Sequence, residues 1–430
     1  MGGKAAILLV LGFSVIFLVV GYNFGNLSNR AVDNSSDYFE ESVAHQIAIS
    51  GSNMALNEIF KDNDWDTGYN NLSFNQGILN VTVTDSVSTK TITSTGTYNG
   101  VSKEVVIKLQ PSSYAKFAWY VGNMSSKEFI TGDTVWGPFH SQSAINIGGN
   151  PVFMGKVTTL KGVSPDEKGL KSSGYDPKFY GGYESGVDIP LPVNYQFTEE
   201  KAAAVDGVSA GGSSYYENTD VWLTFNADGT VTHRTGSGND SSTYSAPITE
   251  PLSTYAPNGV IYVKKGDVYM SGTLKGKATV VAGEASGIGS GNVYLVDDIT
   301  YTSDPMTYDA SENKYIPNNG CTDMLGILAT NNVRIVDNNA NVLNKDIHID
   351  ASIFCAQGGV EMEDKTIPPS GTVYLRGGMI AAKEELLAIT SSGTVTHGYK
   401  KHVVFDQRFM LALPPTFPNT GKFEIVSWLE

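Results

Sequence analysis

The N-terminal end of the chain is the feature that most restricts how this protein can fold. Residues 5–22 form an uncharged, almost entirely apolar run. As an α-helix at about 1.5 Å per residue, this run reaches about 27 Å, close to the hydrocarbon thickness of a bilayer. The sequence therefore predicts a membrane-spanning helix over residues 5–22.

The apolar run continues into an amphipathic pattern. Apolar or small residues recur at steps of four and three, as they do on one face of a helix: Phe39, Val43, Ile47, Gly51 and Met54. The first proline is Pro111, so no proline interrupts this region. We predict one long helix over residues 1–60, with one end in the membrane and the other packed on a domain.

Two interpretations of the apolar run are open, a retained anchor and a cleaved signal peptide. A retained anchor is favoured, because Lys4 is the single basic residue before the run and no small-residue cleavage site follows it. Lys4 also favours an N-terminus in the cytoplasm. The expected localisation is a single-pass cytoplasmic-membrane anchor whose remaining residues lie outside the cytoplasm or on the cell surface or pilus.

A small antiparallel sheet is expected directly after the helix, over residues 61–110. Segments 78–84, 90–98 and 101–110 are rich in Val, Ile and Thr, which is typical of strands. Asn99-Gly100 lies between the last two segments, and this pair accepts the positive φ angles of a tight hairpin turn. The pattern predicts a β-meander.

In this layout the chain resembles the type IV pilin-like proteins of pilus and secretion systems, especially the minor-pilin type. The resemblance covers residues 1–110, and its most specific part is Ala48–Ala55 after an apolar N-terminus. Major pilins carry a glutamate near the start of the mature chain, whereas the first acid here is Asp33. The resemblance implies a non-enzymatic subunit that assembles through its N-terminal helix with other pilin-like subunits or with itself.

Composition restricts the class of partner. Charged residues make up 17% of the chain and Gly contributes 46 positions, which is typical of a β-rich extracellular protein. The net charge of −15 is spread along the chain and argues against nucleic acid as a partner, because phosphate binding needs clustered Lys and Arg.

The remainder of the chain is expected to be mainly β. Residues 259–396 repeat short, glycine-led apolar segments such as Gly259–Val263 and Gly371–Leu375. Such repetition favours a β-solenoid, with a right-handed parallel β-helix as its expected form, and a β-sandwich is the alternative. We assign residues 111–163 to the first part of this solenoid and residues 397–430 to a C-terminal cap. Residues 164–258 are expected to form an irregular insertion with a hairpin near 220–234.

Two acidic clusters are candidate cation sites. Asp62, Asp64 and Asp66 alternate as in calcium loops, although Thr67 and Ser73 stand where an EF-hand needs Gly and Glu. The second cluster is Asp297 and Asp298, with Asp304 nearby; it suits a cation site, a solvated corner or the paired acids of a glycosidase. No cofactor is expected, with calcium as the single candidate.

Cysteine, histidine and tyrosine are less informative. Cys321 and Cys355 either form one disulfide or are small buried hydrophobic residues. The spacing of His140, His348, His397 and His402 does not match a metal site. A further group of tyrosines is suited either to stacking on sugars or subunits or to half-buried strands: Tyr175, Tyr180, Tyr183, Tyr215, Tyr216 and Tyr255.

Two functions are consistent with these patterns. The first is a non-enzymatic surface protein, either a pilin-like subunit or an accessory component with an extracytoplasmic contact surface for assembly or adhesion. The alternative is a membrane-anchored β-helical carbohydrate-active enzyme or polysaccharide-binding protein.

Overall fold

A computed structural model describes residues 2–86, 89–192, 195–285, 289–342, 344–391 and 394–430. The protein is mainly β with one long N-terminal helix. It divides into two compact units: unit 1 contains Met1–Ser112 and Gly421–Glu430, and unit 2 contains Ser113–Thr420. The α-helices are α1 Gly2–Lys61, α2 Glu167–Ser173, α3 Thr198–Ser209 and α4 Leu252–Tyr255.

The strands are short in the middle of the chain and longer towards both ends. In chain order they are β1 Tyr69–Phe74, β2 Gly77–Asp85, β3 Lys90–Tyr98, β4 Val101–Ser113, β5 Trp119–Asn123, β6 Thr134–Trp136, β7 Phe139–Ser141, β8 Ile145–Asn146, β9 Val152–Phe153, β10 Val157–Thr159, β11 Val163–Ser164, β12 Lys178–Phe179, β13 Tyr183–Ser185, β14 Tyr215–Glu217, β15 Asp220–Phe225 and β16 Thr230–Gly236. They continue as β17 Ile248–Pro251, β18 Val260–Lys264, β19 Val268–Leu274, β20 Lys277–Gly283, β21 Val293–Tyr301, β22 Met306–Asp309, β23 Lys314–Pro317, β24 Met324–Ala329, β25 Val333–Ile335, β26 Ile347–Cys355, β27 Val360–Met362, β28 Pro369–Lys383, β29 Ala388–Ser391, β30 Thr394–Phe405 and β31 Asn419–Leu429.

Unit 1 is a sheet covered by the second half of α1. The strand order is β1-β2-β3-β4-β31, and β1 to β4 pair antiparallel. The three predicted strands and the hairpin turn are confirmed, with Asn99 at φ 48° and Gly100 at φ 89°. Strand β1 was not predicted, because its sequence Tyr-Asn-Asn-Leu-Ser-Phe contains few strand-forming residues.

The predicted apolar stripe of α1 faces this sheet. Its buried residues include Ala44, Ile47, Ala48, Ala55 and Ile59, and they pack on the apolar side chains of β2, β3 and β4. Small residues allow close approach of the helix, and the Ser94 hydroxyl donates a buried hydrogen bond of 2.7 Å to the carbonyl oxygen of Ala48. The helix is thus tied to the sheet by packing and by a buried polar contact.

Unit 2 lies in the chain between β4 and β31. Its two ends are adjacent, because the Tyr114 amide and the Ser113 hydroxyl both donate to the carbonyl oxygen of Pro418 at 3.2 Å. The last strand was predicted correctly near 422–428, but its role as a cap over 397–430 is corrected. Strand β31 joins the sheet of unit 1 beside β4, where β4 supplies the backbone hydrogen bonds that it needs.

Unit 2 is built from parallel strand ladders. Ladder 1 has the spatial order β14, β18, β20, β24, β26, β28, β5, β7, β10, β13, and every pairing in it is parallel. The chain therefore enters this ladder in the middle at β5 and extends to one end at β13. It resumes at the opposite end with β14 and returns until β28 pairs with β5.

Two further parallel ladders include the strands that alternate with these in the chain, and ladder 3 also shares the long strands β26 and β28 with ladder 1. Ladder 2 joins β15, β19, β21, β25 and β27, and ladder 3 joins β19, β21, β26, β28, β30, β6, β9 and β12. In ladder 2 the buried valines of successive strands stand in register: Val221, Val268, Val293, Val333 and Val360. Each strand therefore buries its apolar residues on those of the next.

The assignment of irregular structure to residues 164–258 is also corrected. This segment contains α2, α3 and the strands β12 to β17. The hairpin of β15 and β16 was predicted, but β15 also pairs parallel with β19. Strands of two or three residues, such as β12 and β13, are too short to show a period of two in the sequence.

Candidate functional surfaces

The first half of α1 is an exposed apolar surface. The Leu, Ile, Val and Phe side chains from Ile7 to Val20 are 42–74% exposed, although they are apolar. By length and composition, α1 is a helix that could cross a membrane. The exposed apolar residues lie where the sequence predicts a span, over residues 5–22, and this segment is called the anchor below.

Between the anchor and the sheet, α1 continues as an exposed segment over residues 23–42. It combines exposed apolar side chains, among them Phe24 at 67% and Val32 at 65%, with charged ones such as Arg30 and Asp37. In about 20 residues at 1.5 Å each, the segment extends roughly 30 Å. This mixed surface is called the linking segment.

The first predicted acidic cluster is a solvated turn after α1. Asp62, Asp64 and Asp66 are exposed, and the Asp62 carboxylate accepts a hydrogen bond from the Asp64 amide at 3.1 Å. The part of the chain that the structure describes contains no group of three or more His, Cys, Asp or Glu side chains placed to hold a metal ion. Trp65 packs on the core of unit 1.

The carboxylates of the second cluster have separate partners. Asp297 accepts from the Asp298 amide, and Asp298 accepts from the His348 amide, both at 2.8 Å. Asp304 pairs with Arg376 at 2.6 Å, and Arg376 also binds the fully buried Asp350. Asp297 and Asp298 therefore stabilise the corner between ladders 2 and 3, while Asp304 belongs to an ion-pair network.

Both cysteines are free and buried in the structure. The Cys321 thiol donates to the carbonyl oxygen of Ser303 at 3.2 Å, and Cys355 lies in β26 with no exposed surface. Burial raises the pKa of Cys355 to about 12 and also raises that of Cys321. These surroundings fit small buried hydrophobic residues, which is the second interpretation of the sequence.

Most of the histidines and tyrosines belong to packed aromatic groups. His348 stacks on Tyr374 with ring centroids 5.1 Å apart, and His402 accepts or donates a hydrogen bond with Tyr315 at 2.9 Å. The Tyr216 hydroxyl is hydrogen-bonded to the Tyr255 hydroxyl and to the His233 ring in a partly buried network. Among the tyrosines singled out in the sequence, Tyr180 and Tyr183 are exposed, at 69% and 40%.

A groove crosses five adjacent strands of ladder 1. Cys355, Ala381, Val121, Ser141 and Thr159 are successive partners in register. The residues that follow them in the chain form the floor of the groove: Ala356, Ala382, Gly122, Gln142 and Leu160. Neighbouring strands are about 4.8 Å apart, so this floor is roughly 19 Å long.

The wall of this groove comes from the segment that leads away from β13. Asp188, Pro190, Leu191 and Pro192 line it. The Tyr120 hydroxyl holds the segment by donating to the carbonyl oxygen of Ile189 at 2.7 Å, and the Tyr114 hydroxyl donates to that of Pro190. The groove is therefore fixed by side chains of the core.

One polar side chain of the groove, Gln142, has unused hydrogen-bonding capacity. The Gln142 amide donates to Asp188 at 2.9 Å, but its buried Oε1 has no partner among the described residues. Asn123, Lys161 and Gln357 also line the groove. Sequence reasoning missed this site, because its residues come from five distant segments that carry no common motif.

Beside the groove, His140 is completely buried and stacks on Tyr120 with ring centroids 5.2 Å apart. Its Nδ1 is 2.8 Å from the Thr158 hydroxyl, and burial lowers its pKa to about 4. His140 is therefore a neutral packing residue at physiological pH.

Comparisons with known proteins do not assign a family. No protein-family model matches the chain, and no curated protein matches it. Among solved structures, the competence-associated pilin ComZ from Thermus thermophilus aligns with 91% of this chain and 97% of its own, at 13% identity and a TM-score of 0.33. Similarity at this level does not establish a common fold, so function is argued from the residues of this chain.

Proposed function

We propose that this protein is a non-enzymatic, membrane-anchored surface protein of the pilin-like type. The carrying observation is that one continuous helix, α1, has an exposed apolar half and a second half packed on the sheet of unit 1. The anchor holds the protein in the cytoplasmic membrane with its N-terminus inside. Unit 2 is the extracytoplasmic contact domain.

The free energy of removing apolar surface from water supports insertion of the anchor into a membrane. About 25 cal/mol is gained for each Å² of apolar surface removed from water, and the Leu, Ile, Val and Phe side chains from Ile7 to Val19 are more than half exposed. A bilayer removes that surface from water along the whole segment. The backbone is satisfied inside the membrane because the segment is helical throughout.

Assembly through α1 is supported by the linking segment. Its apolar residues, such as Phe24 and Phe39, remain exposed outside the expected membrane span. The segment also carries charges of both signs, on Arg30, Asp33 and Asp37. A neighbouring helix of another pilin-like subunit, or of a second copy, would cover the apolar residues and pair the charges.

The proposal also assigns unit 2 to the β-solenoid class, as a right-handed parallel β-helix. Its support is the parallel pairing in all three ladders and the stacking of like residues in register. A β-sandwich would instead be dominated by antiparallel pairs. In unit 2 the antiparallel pairs belong to local hairpins such as β15–β16 and β29–β30.

A non-enzymatic role is supported by the acids that were candidates for glycosidase chemistry. Asp298 is engaged by the backbone of His348, and Asp304 by Arg376. A general acid for glycoside hydrolysis needs a raised pKa and a free approach to the glycosidic oxygen. These contacts instead make Asp298 and Asp304 part of the structural framework of unit 2.

Substitution in the anchor tests the proposal. Leu8→Asp or Phe13→Asp should release the protein from membranes, since an acid at the bilayer centre costs about 2.5–3.5 kcal/mol on insertion scales. Asn53→Asp is the matched control, because Asn53 is an exposed residue in the half of α1 that packs on the sheet of unit 1. Membrane fractionation of cells that express each variant gives the readout. Retention of Leu8→Asp at the level of the control would refute the anchor.

A further inference from the structure

We propose that the groove across ladder 1 binds an extended, uncharged polysaccharide chain. The inference does not depend on membrane anchoring, because it concerns side chains of unit 2 alone. Its geometric basis is a floor of five residues contributed by five adjacent strands, roughly 19 Å long, with a wall formed by Asp188 and the following prolines. A groove of this length suits a polymer better than a single small molecule.

The polar groups of the groove match hydroxyl groups. Gln142, Gln357 and Asn123 carry carboxamides, which both donate and accept hydrogen bonds, as sugar hydroxyls do. The Oε1 of Gln142 has no hydrogen-bond partner among the described residues and is itself buried, so the carboxamide must turn toward the groove to accept from a sugar hydroxyl. A hydroxyl of a bound chain would satisfy it.

The charges of the groove argue for an uncharged ligand. Its lining contains one basic side chain, Lys161, and one acidic side chain, Asp188, which already accepts from Gln142. A polyanion would need several clustered Lys or Arg. The net charge of the chain, −15, opposes a polyanion further.

The backbone of the groove argues against an extended peptide. Peptides bind to sheets mainly by pairing with an open edge. The strands of the floor, β26, β28, β5, β7 and β10, are each paired on both sides within ladder 1. These five strands therefore present side chains to a ligand, but no unpaired edge with which a peptide could form backbone hydrogen bonds.

The apolar residues complete the match. Leu160 is 37% exposed, and Leu191, Pro190 and Pro192 stand on the wall. Small residues on the floor, Gly122, Ala356 and Ala382, leave room for a sugar ring to lie against these side chains through its C–H face. The site thus combines apolar contact with hydrogen bonds at the edges of the ring.

Binding is tested with the full chain in detergent, by electrophoresis through gels that contain dextran, pullulan or galactomannan. The test variant combines Gln142→Leu, Lys161→Ala and Gln357→Ala. The matched control combines Asn239→Ala and Lys171→Ala, which removes one exposed carboxamide and one exposed ammonium elsewhere in unit 2. A second variant carries Lys161→Ala and Gln357→Ala alone and keeps the Gln142–Asp188 contact. Weaker binding by this variant therefore does not arise from loss of the contact that holds the wall.

We expect at least one of the neutral polymers to retard the wild type and the control equally. The triple variant should bind that polymer at least about tenfold more weakly, as the loss of two or more hydrogen bonds requires, and the double variant should lie between. Equal retardation of the triple variant and the wild type would overturn the proposal. So would retardation by alginate alone, binding of an extended peptide library alone, or no retardation by any neutral polymer.

Discussion

Substitution of Gly96 by alanine tests the packing of α1 on the sheet of unit 1. A Cβ atom at this position would lie 2.6 Å from the Ala48 nitrogen and 2.8 Å from the Ile47 Cβ atom, and closer still to the carbonyl oxygen of Ala44. Two of these three atoms belong to the helix backbone and cannot rotate away. The helix must therefore move outward to admit a single methyl group.

The size of the effect follows from these distances. Ordinary contact begins near 3.4 Å, so the Ala48 nitrogen must retreat by at least 0.8 Å, the difference between 3.4 Å and 2.6 Å. A gap of about 0.5–1 Å forfeits a quarter to a half of the dispersion energy across the interface. Overpacking of this kind costs about 1–3 kcal/mol, and weakening of the Ser94–Ala48 hydrogen bond adds about 1 kcal/mol.

We expect Gly96→Ala to destabilise unit 1 by about 3 kcal/mol, a large fraction of the roughly 5–15 kcal/mol that stabilises a typical domain. Hydrogen exchange of the full chain in detergent measures this locally. Amides of β2 and β3 should lose about two powers of ten in protection, while amides of unit 2 remain unchanged.

The control is Thr95→Ala, at a half-buried neighbouring position on the other face of β3. It should change protection of unit 1 by much less, since a strand substitution on the face away from the helix costs under about 1 kcal/mol. Equal protection in wild type and Gly96→Ala, or an equal loss in Gly96→Ala and Thr95→Ala, would refute the packing argument.

Two further predictions concern buried titratable groups of unit 2. Glu200 on α3 has no exposed surface, and burial raises its pKa from 4.5 to about 7. The stability that its protonated form contributes is present below pH 4.5 and is lost as pH rises through 7. Between pH 4 and pH 8, the free energy of unfolding of unit 2, measured with urea, should therefore fall by about 3 kcal/mol more in the wild type than in Glu200→Gln. Parallel pH profiles of the two proteins would contradict this. The thiols of Cys321 and Cys355 should resist iodoacetamide in the native protein and both react in denaturant, since the thiolate is the reactive form and burial raises both pKa values; a cross-linked peptide under non-reducing conditions would contradict this.

Local structure was predictable where the signal is local. The apolar stripe from Phe39 to Met54 predicts the buried face of α1 from Val43 onward, although Phe39 is 59% exposed, and Asn99-Gly100 predicts the turn between β3 and β4. A helix face and a two-residue turn depend on neighbours a few positions apart, so their patterns survive in one sequence. The hairpin of β15 and β16 was predictable for the same reason, with Gly229 at φ 91° in its turn.

Pairings between distant segments were not predictable. Trp119 of β5 pairs with Met379 of β28, and no pattern in either segment names the other as its partner. The last strand shows the same limit: Lys422–Trp428 reads as a strand, but its place beside β4 depends on the shape left open by β1 to β4. Short apolar strands fit many partners equally well by sequence, and register is decided by packing.

The long helix with its apolar first half, the meander of unit 1 and the β-rich character of the remainder are thus all predictable from local patterns. The insertion of unit 2 between β4 and β31, the entry into ladder 1 at β5, and the meeting of Gln142, Gln357 and Lys161 in one groove became visible only in the folded chain. The difference lies in the sequence separation of the interacting residues. Helical periodicity and turn chemistry act over a few residues, whereas a ladder brings together residues that are neighbours only across strands.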